Sequence, residues 1–368
     1  MVDVLNLDCS GDHLRKVARG IYESYQNKQD KRESNISGDK IIEELDLKKQ
    51  EIQKERLKPQ ATKIEYNRHQ RLDSRFEMFY DNIRGAIDTL PVPKYKFYPS
   101  NIETPDKEYV LTFSDIHYGS SFESVNNSYS REICQQRFEL LFQEMIHKID
   151  SQDINTLKVI NLGDTIQGIL RISDLQLNEI PVVEAVVEIS RLIANFLNEL
   201  SAYSNIEYYH VPSANHSQTR NLGSKPNELA AEDMEKIIIN YIHDLLRNNE
   251  RIVVYKDYDR DYVAFDIFNF KCCALHGHQV KSIGTVLKDI SMLHREWYDT
   301  VFLGHFHSGK ELAVGEGLSN NTEVLLSPAF IGSCPYSDKL MVGGKSMCKL
   351  YEFDEKHGHV GTQNIVLN

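Results

Sequence analysis

Residues 108–119, EYVLTFSDIHYG, read as a strand-length run of apolar and β-branched side chains that stops at Ser114 and is followed at once by Asp115 and His117. The same grammar recurs down the chain. LKVINLG (157–163) runs into Asp164, and IEYYHVPS (206–213) leads to Asn215 and His216. FKCCALHG (270–277) carries His276 directly after its apolar stretch, and YDTVFLGHFH (298–307) ends on His305 and His307. Helical patterns lie between the runs, most clearly VVEAVVEISRLIANFLNELSAY (182–203) and LAAEDMEKIIINYIHDLLRN (229–248). Strand, loop and helix in alternation predict an α/β layered domain.

In open α/β sheets, ligands bind beyond the carboxyl ends of strands, so the polar residues ending the five runs are predicted to converge. An i,i+2 pair in extended chain points to one side, which would suit Asp115 with His117 and His305 with His307. Each residue alone has an ordinary reading. An Asp after a strand caps a helix or makes a turn, and a lone His is hydrogen-bonded. The weight comes from five such sites in one order. Carboxylates, imidazoles and one amide suit Mn²⁺, Fe²⁺ or Zn²⁺ and hold too much nitrogen for a calcium cage. Two cations need a bridging anion, for which Asp164 is the candidate. Such a pair lowers the pKa of a water and clamps the oxygens of a phosphoryl group.

The motifs SDIHYG, LGDTIQG, SANHS, LHGHQ and LGHFHSG resemble, in order, those of the calcineurin-like metallophosphoesterase family. The resemblance runs from about Glu108 to the C-terminus. It implies a four-layered αββα sandwich with a dinuclear site, the first metal on Asp115, His117, Asp164 and His307, the second on Asp164, Asn215, His276 and His305. His216 matches the residue that meets the scissile phosphate and protonates the leaving oxygen. Departures are Ala214 in place of a Gly and Ser217 in place of an acid, so an orienting partner for His216 must come from elsewhere. Gln167-Gly168 after the Gly-Asp, with Ser217, speaks against a phosphoprotein substrate. The Ser-Asp-x-His-x-Gly form is similar to the DNA-repair exonuclease branch, and the helical N-terminal region to phage-encoded relatives. That resemblance implies a Mn²⁺-dependent exonuclease acting on DNA; a phosphodiesterase or phosphomonoesterase for small nucleotides, or an inactive binding protein, are the alternatives.

Composition bounds the rest. In 368 residues with 41% hydrophobic and 26% charged, the balance is that of a globular protein. No run approaches the ~20 apolar residues of a membrane span, and the start MVDVLNLDCSGDH lacks a secretory pattern, so an intracellular protein is expected. The net charge of −12 argues against an indiscriminate grip on nucleic acid, though cations bound at a site would supply positive charge locally. The six cysteines form no Cys-x-x-Cys pair, and Cys272 and Cys273 read as reduced core residues.

Residues 1–98 are expected to form a helical accessory region and 99–368 the phosphoesterase domain, with PVPKYKFYPS (91–100) as linker. Helices are predicted from Gly11 to about Asp30, from about Lys40 to Lys58, and from Lys63 to Ile87, with Pro59 between the last two. The third mixes Arg68, Arg71, Arg75 and Arg84 with Glu65, Asp73, Glu77 and Asp81, either as a solvated face or as a hairpin touching DNA or a second subunit in a homodimer. Whether an ATPase partner exists is not legible. His278 is the rival of His276, His210 is expected behind the site, and Arg220 and Lys281 are candidate phosphate contacts. The remaining histidines read as structural or surface residues.

Overall fold

The structure, a computed structural model, describes residues 11–29, 45–52, single helical positions between 55 and 85, and then 107–168, 176–219, 231–256, 260–316, 321–339, 341 and 343–368. The chain divides into two compact units, Met1–Gly85 and Ala86–Asn368. In the first unit every described residue is helical and every described side chain is exposed. Helix α1 (Gly11–Gln29) carries the surface ion pair Arg19–Glu23 at 3.1 Å. The expected linker, Pro59, Arg68, Glu65 and Asp73 lie outside the described residues.

The second unit is built on two sheets. In chain order its strands are β1 (Lys107–Phe113), β2 (Phe122–Glu123), β3 (Ser128–Tyr129), β4 (Thr156–Asn161), β5 (Asn205–His210), β6 (Ile252–Val254), β7 (Tyr262–Ile267), β8 (Phe270–Leu275), β9 (Thr300–Leu303), β10 (Glu311–Glu316), β11 (Asn321–Leu326), β12 (Met347–Asp354) and β13 (Gly358–Val366). The helices are α2 (Arg131–Ser151), α3 (Val182–Leu200), α4 (Met234–Leu246), α5 (Val286–His294) and α6 (Pro335–Lys339). The six-stranded sheet has the order β13-β12-β1-β4-β5-β6, with β1, β4, β5 and β6 parallel. The five-stranded sheet has the order β10-β11-β9-β8-β7, with β8, β9 and β11 parallel. Parallel neighbours need long crossovers, and α2, α3 and α4 supply them between β1 and β6.

All five strand-like runs of the sequence are strands. They are continuous rather than alternating because both faces are covered. Val110, Ile160 and Tyr209 of one sheet share a core with Phe265, Cys272, Ala274, Phe302 and Leu325 of the other. Rings interlock across it: Tyr209 with Phe265 at 4.7 Å and Phe302 with Tyr351 at 5.5 Å. On the outer face of the first sheet Phe113 meets Phe138 of α2 edge-on at 6.0 Å. On the outer face of the second, Cys273, Leu275, Val301 and Leu303 pack against Val286, Leu287 and Ile290 of α5. The layers run helix, sheet, sheet, helix, the αββα sandwich expected from the motifs. Cys272 and Cys273 are free thiols turned to opposite faces of β8, each in a core. Helix α3 covers its predicted stretch, whereas α4 begins at Met234, later than the pattern from Leu229 suggests, because Asp233 caps it by accepting the Glu235 N–H.

The two sheets close on each other at the carboxyl ends of their central strands. There Gly304, just past β9, faces Ser114, just past β1, so closely that a Cβ would stand 2.1 Å from the Ser114 hydroxyl. Gly168 sits after β4 at φ +62, where a Cβ would fall 1.8 Å from the His216 carbonyl oxygen. Gly168→Ala is therefore expected to cost about 1–3 kcal/mol, seen as a fall of several degrees in the thermal midpoint. An unchanged midpoint would show that the two loops are not pressed together there.

Candidate metal centre

Beyond the last ladder bonds of β1 and β4, the two chains stay zipped. Asp115 N–H donates to Gly163 O at 3.0 Å, His117 N–H to Asp164 O at 3.0 Å, and Tyr118 N–H to Thr165 O at 2.9 Å. The loop after β11 joins them, Phe330 and Ile331 donating to Ser114 O and Asp115 O. Candidate residues from separate loops are thereby held in fixed register.

Asp115 and His117 face a common point, but not by the pleat of extended chain, whereas His305 and His307 part company, His307 joining Asp115 and His117 and His305 joining Asp164 and His276. Asp115, His117, Asp164, His305 and His307 all have left-handed backbones, at φ +54, +50, +51, +63 and +52. Non-glycine residues rarely adopt this region, and when they do the strain gathers at functional sites. The extended-chain expectation is corrected accordingly. Ala214 is not among the left-handed residues, so replacing the usual glycine costs no strain there.

Among the described residues, three groups of side chains bring their donor atoms within 4.8 Å of one another, close enough to hold metal ions: Asp115–His117–His307, His117–Asp164–His216 and Asp164–His276–His305. Asp164 is the pivot. Its Oδ1 accepts the His216 backbone N–H at 2.8 Å, and its Oδ2 lies 3.0 Å from His276 Nε2. Asn215 Oδ1 also lies 3.0 Å from His276 Nε2 and completes that side. His276 Nδ1 is turned to the Leu162 carbonyl at 2.8 Å, which fixes the ring with Nε2 inward, the usual manner in which a ligating imidazole is oriented. All seven residues predicted as ligands, and His216, therefore meet at one edge of the sandwich. His278 is not in these groups; its ring stands 5.6 Å from that of His276.

The chemistry of the cluster fits divalent cations. Asp115 Oδ1 and His117 Nδ1 are buried atoms that receive no well-directed hydrogen bond. The Nε2 atoms of His307 and His117 stand 3.2 and 3.8 Å from Asp115 Oδ1, so three donor groups converge on one space. The other oxygen, Oδ2, is held by the Ser114 hydroxyl and by the His305 N–H at 3.0 Å. Burial by itself would raise Asp115 and Asp164, but the surrounding histidines outweigh it and hold both carboxyls far below their ordinary range. Burial likewise opposes charge on His276, yet Asp164 lifts it to about 9; Asp115 lifts His307 against the same penalty. His305, half-buried and beside His276, is depressed, chiefly by its partial burial. Two buried carboxylates thus sit among imidazoles that cannot all be protonated together, a donor set whose chemistry suits divalent cations.

His216 takes its orientation from a group that side-chain reading overlooks. Its Nδ1 lies 2.9 Å from the backbone carbonyl of Gln167, not from an acid at position 217. That contact assigns the Nδ1 proton and turns Nε2 the other way. Its ring packs edge-on against His117 with centroids 4.6 Å apart. His210 is buried behind the site as expected, 2.6 Å from Glu235 and 2.8 Å from the Tyr208 hydroxyl. Two acids went unread in the sequence. Asp233 accepts the Ala214 N–H at 3.0 Å, and Glu235 accepts the Thr165 N–H at 2.9 Å. Burial and the Glu235 charge push Asp233 up to about 7. The only sequence signal was an acid pair opening a helix, which reads as a cap. Arg220 lies outside the described residues. Lys281 is exposed and lines a groove of about 610 Å³ with Arg260, Tyr262, Val280 and His294, apart from the convergent groups. No helix among the described residues is long and apolar enough to cross a membrane.

Comparison with known proteins places the chain. Among solved structures, an archaeal phosphodiesterase matches 70% of this chain and 99% of its own at 15% identity and a TM-score of 0.34. Vps29 from Entamoeba histolytica, complexed with Zn²⁺, matches 71% and 99% at 15% identity and 0.30. A family model described as the YonJ coiled-coil domain matches residues 48–90. The SPbeta prophage-derived uncharacterized protein YonJ of Bacillus subtilis (strain 168) is 38% identical over 341 residues, which cover 92% of this chain and 84% of that protein. With that identity sustained across both units, the chain belongs to the YonJ family.

Proposed function

We propose that the chain is a metal-dependent phosphodiesterase that hydrolyses DNA as an exonuclease. The observation that supports this reading is the meeting of Asp115, His117, Asp164, Asn215, His276, His305 and His307 around Asp164, with His216 at their side. In it, Asp115, His117, Asp164 and His307 would hold one divalent cation, and Asp164, Asn215, His276 and His305 would hold the other. Mn²⁺ is the metal proposed, with Fe²⁺ and Zn²⁺ compatible with the same donors. When bound, the cations supply Lewis-acid polarisation of the phosphoryl oxygens and a water of lowered pKa.

The chain's own groups do the rest. Asp164, ionised and with its two oxygens turned to opposite sides, keeps the halves of the site in register. Gln167 O steadies the Nδ1 proton of His216, which leaves Nε2 to carry the proton for the departing oxygen. A general acid so placed contributes about 10²–10⁴-fold to rate. DNA as substrate rests on the Ser-Asp-x-His-x-Gly form of the first motif and on the helical unit, which would position the strand or pair two subunits.

The test is direct. Purified protein with Mn²⁺ is given end-labelled single- and double-stranded DNA beside cyclic nucleotides and an aryl phosphodiester. Shortening of DNA from an end, abolished by a chelator, is expected. Intact DNA with turnover of a small ester would move the substrate to small nucleotides. His216→Ala is expected to keep its metal by elemental analysis and lose about 10²–10⁴-fold in kcat. Asp164→Ala is expected to lose both metal and turnover, and full metal occupancy in that variant would remove the bridging role.

A further inference from the structure

Two ligand loops, one after β4 and one after β5, hang from a single helix end. At the start of α4, Glu235 is fully buried and uses both oxygens on one neighbour. Oε1 accepts the Thr165 N–H at 2.9 Å, and Oε2 accepts the Thr165 hydroxyl at 2.7 Å while standing 2.6 Å from His210 Nε2. Thr165 follows Asp164 directly, and Asn161 at the end of β4 reaches the same hydroxyl at 2.9 Å. Two residues earlier, Asp233 spans the other loop. Its Oδ2 accepts the Ala214 N–H and its Oδ1 the Glu235 N–H, both at 3.0 Å. Met234 N–H closes the pattern by donating to Ser217 O at 3.0 Å.

These contacts fall beside the least comfortable backbone of the site. Gly163 and Asp164 are successive left-handed residues, φ +89 and +51, and a carboxylate side chain at the second relaxes toward the right-handed region unless its neighbours are fixed. A buried Thr165 N–H without an acceptor would add the cost of a lost hydrogen bond. Glu235 answers both needs. Ser217 belongs to the same link: its hydroxyl lies against Asp233 and donates to Ala214 O at 3.3 Å.

We infer that Asp233 and Glu235 are positioning residues that set the distance between Asp164 and Asn215, and through it the affinity of the site for divalent cations. The inference rests on the metal-binding reading above. Oriented groups behind ligands typically carry 10–100-fold in affinity, and that is the size of effect expected.

Calorimetric titration with Mn²⁺ and the metal-free thermal midpoint are measured on the full-length chain and its variants. Glu235→Ala is expected to bind Mn²⁺ about 10–100-fold more weakly. Glu235→Gln, which keeps an oxygen for the Thr165 N–H, is expected to recover part of that loss. The comparison is Asn249→Ala. Asn249 is a buried amide beyond the other end of α4, bonded to Asn198, Ser201 and the Arg251 N–H. It should lower the midpoint and leave Mn²⁺ affinity alone. Wild-type affinity in Glu235→Ala with a lowered midpoint would make Glu235 merely structural and end the inference. If Glu235→Ala does not fold, Thr165→Val removes only the hydroxyl from the link, and unchanged Mn²⁺ affinity there is equally fatal. A wild-type chain that binds no divalent cation would instead bring down the metal-centre reading itself.

Discussion

Asp164 carries a negative charge into a place that water does not reach, and the surrounding loops are organised around that cost. An ionised carboxylate taken from water without partners is penalised by several kcal/mol or more, so its presence implies compensation. Here the compensation is local. His276 faces one oxygen, the His216 N–H faces the other, and the net result is a carboxyl held firmly in its charged form. The geometry that allows this is a left-handed turn directly after β4, itself a strained feature. Hydrogen bonds from the loop after β1 on one side and Glu235 on the other keep that turn in place.

The two-sheet architecture follows from the same need. One sheet contributes Asp115, His117, Asp164, Asn215 and His216 from the ends of β1, β4 and β5; the other contributes His276, His305 and His307 from β8 and β9. Neither sheet alone carries the whole donor set. The sandwich must close tightly at one edge, and the Ser114–Gly304 approach marks where it does. Packing between the faces, through Tyr209, Phe265, Phe302 and Tyr351, therefore bears on the chemistry as well as on stability, because slippage between sheets would separate the two halves of the donor set.

Much of this was legible in the chain. Parallel strands buried on both faces appear as unbroken apolar runs, and a ligand must follow such a run closely, so VLTFS-Asp and VFLG-His announce themselves. What stayed hidden is hidden for physical reasons. The φ values of Asp115 and His307 leave no mark on residue identity, and the expectation of extended chain missed them. Gln167 acts through its carbonyl, which every residue has. Asp233 and Glu235 belong to a helix start whose ordinary meaning is capping, and only the fold brings it against loops far away in sequence. Helix α2 was passed over although Cys134, Phe138, Leu141, Met145 and Ile149 keep a helical spacing on its buried side. The closing hairpin of β12 and β13 also went unread, since polar residues interrupt its apolar ones in MCKLYEFDEKHGHVGTQNIV.

Charge ties the site to the kind of molecule it can receive. With 54 acidic against 42 basic residues, the protein as a whole repels a polyanion. The candidate metal centre is composed differently: Asp115 and Asp164 are its carboxylates, and the remaining donors are imidazoles and one amide. Under the proposed function, two divalent cations on such a set would leave it net positive, so attraction to a phosphodiester would be strong at the reacting group and weak elsewhere. A centre of that kind selects by contact at one phosphate rather than by long-range attraction along a strand. Under the proposed function, any hold on a longer substrate would come from few additional contacts, and the geometry around Asp164 and His216 would weigh more than the surface field in deciding what is cleaved.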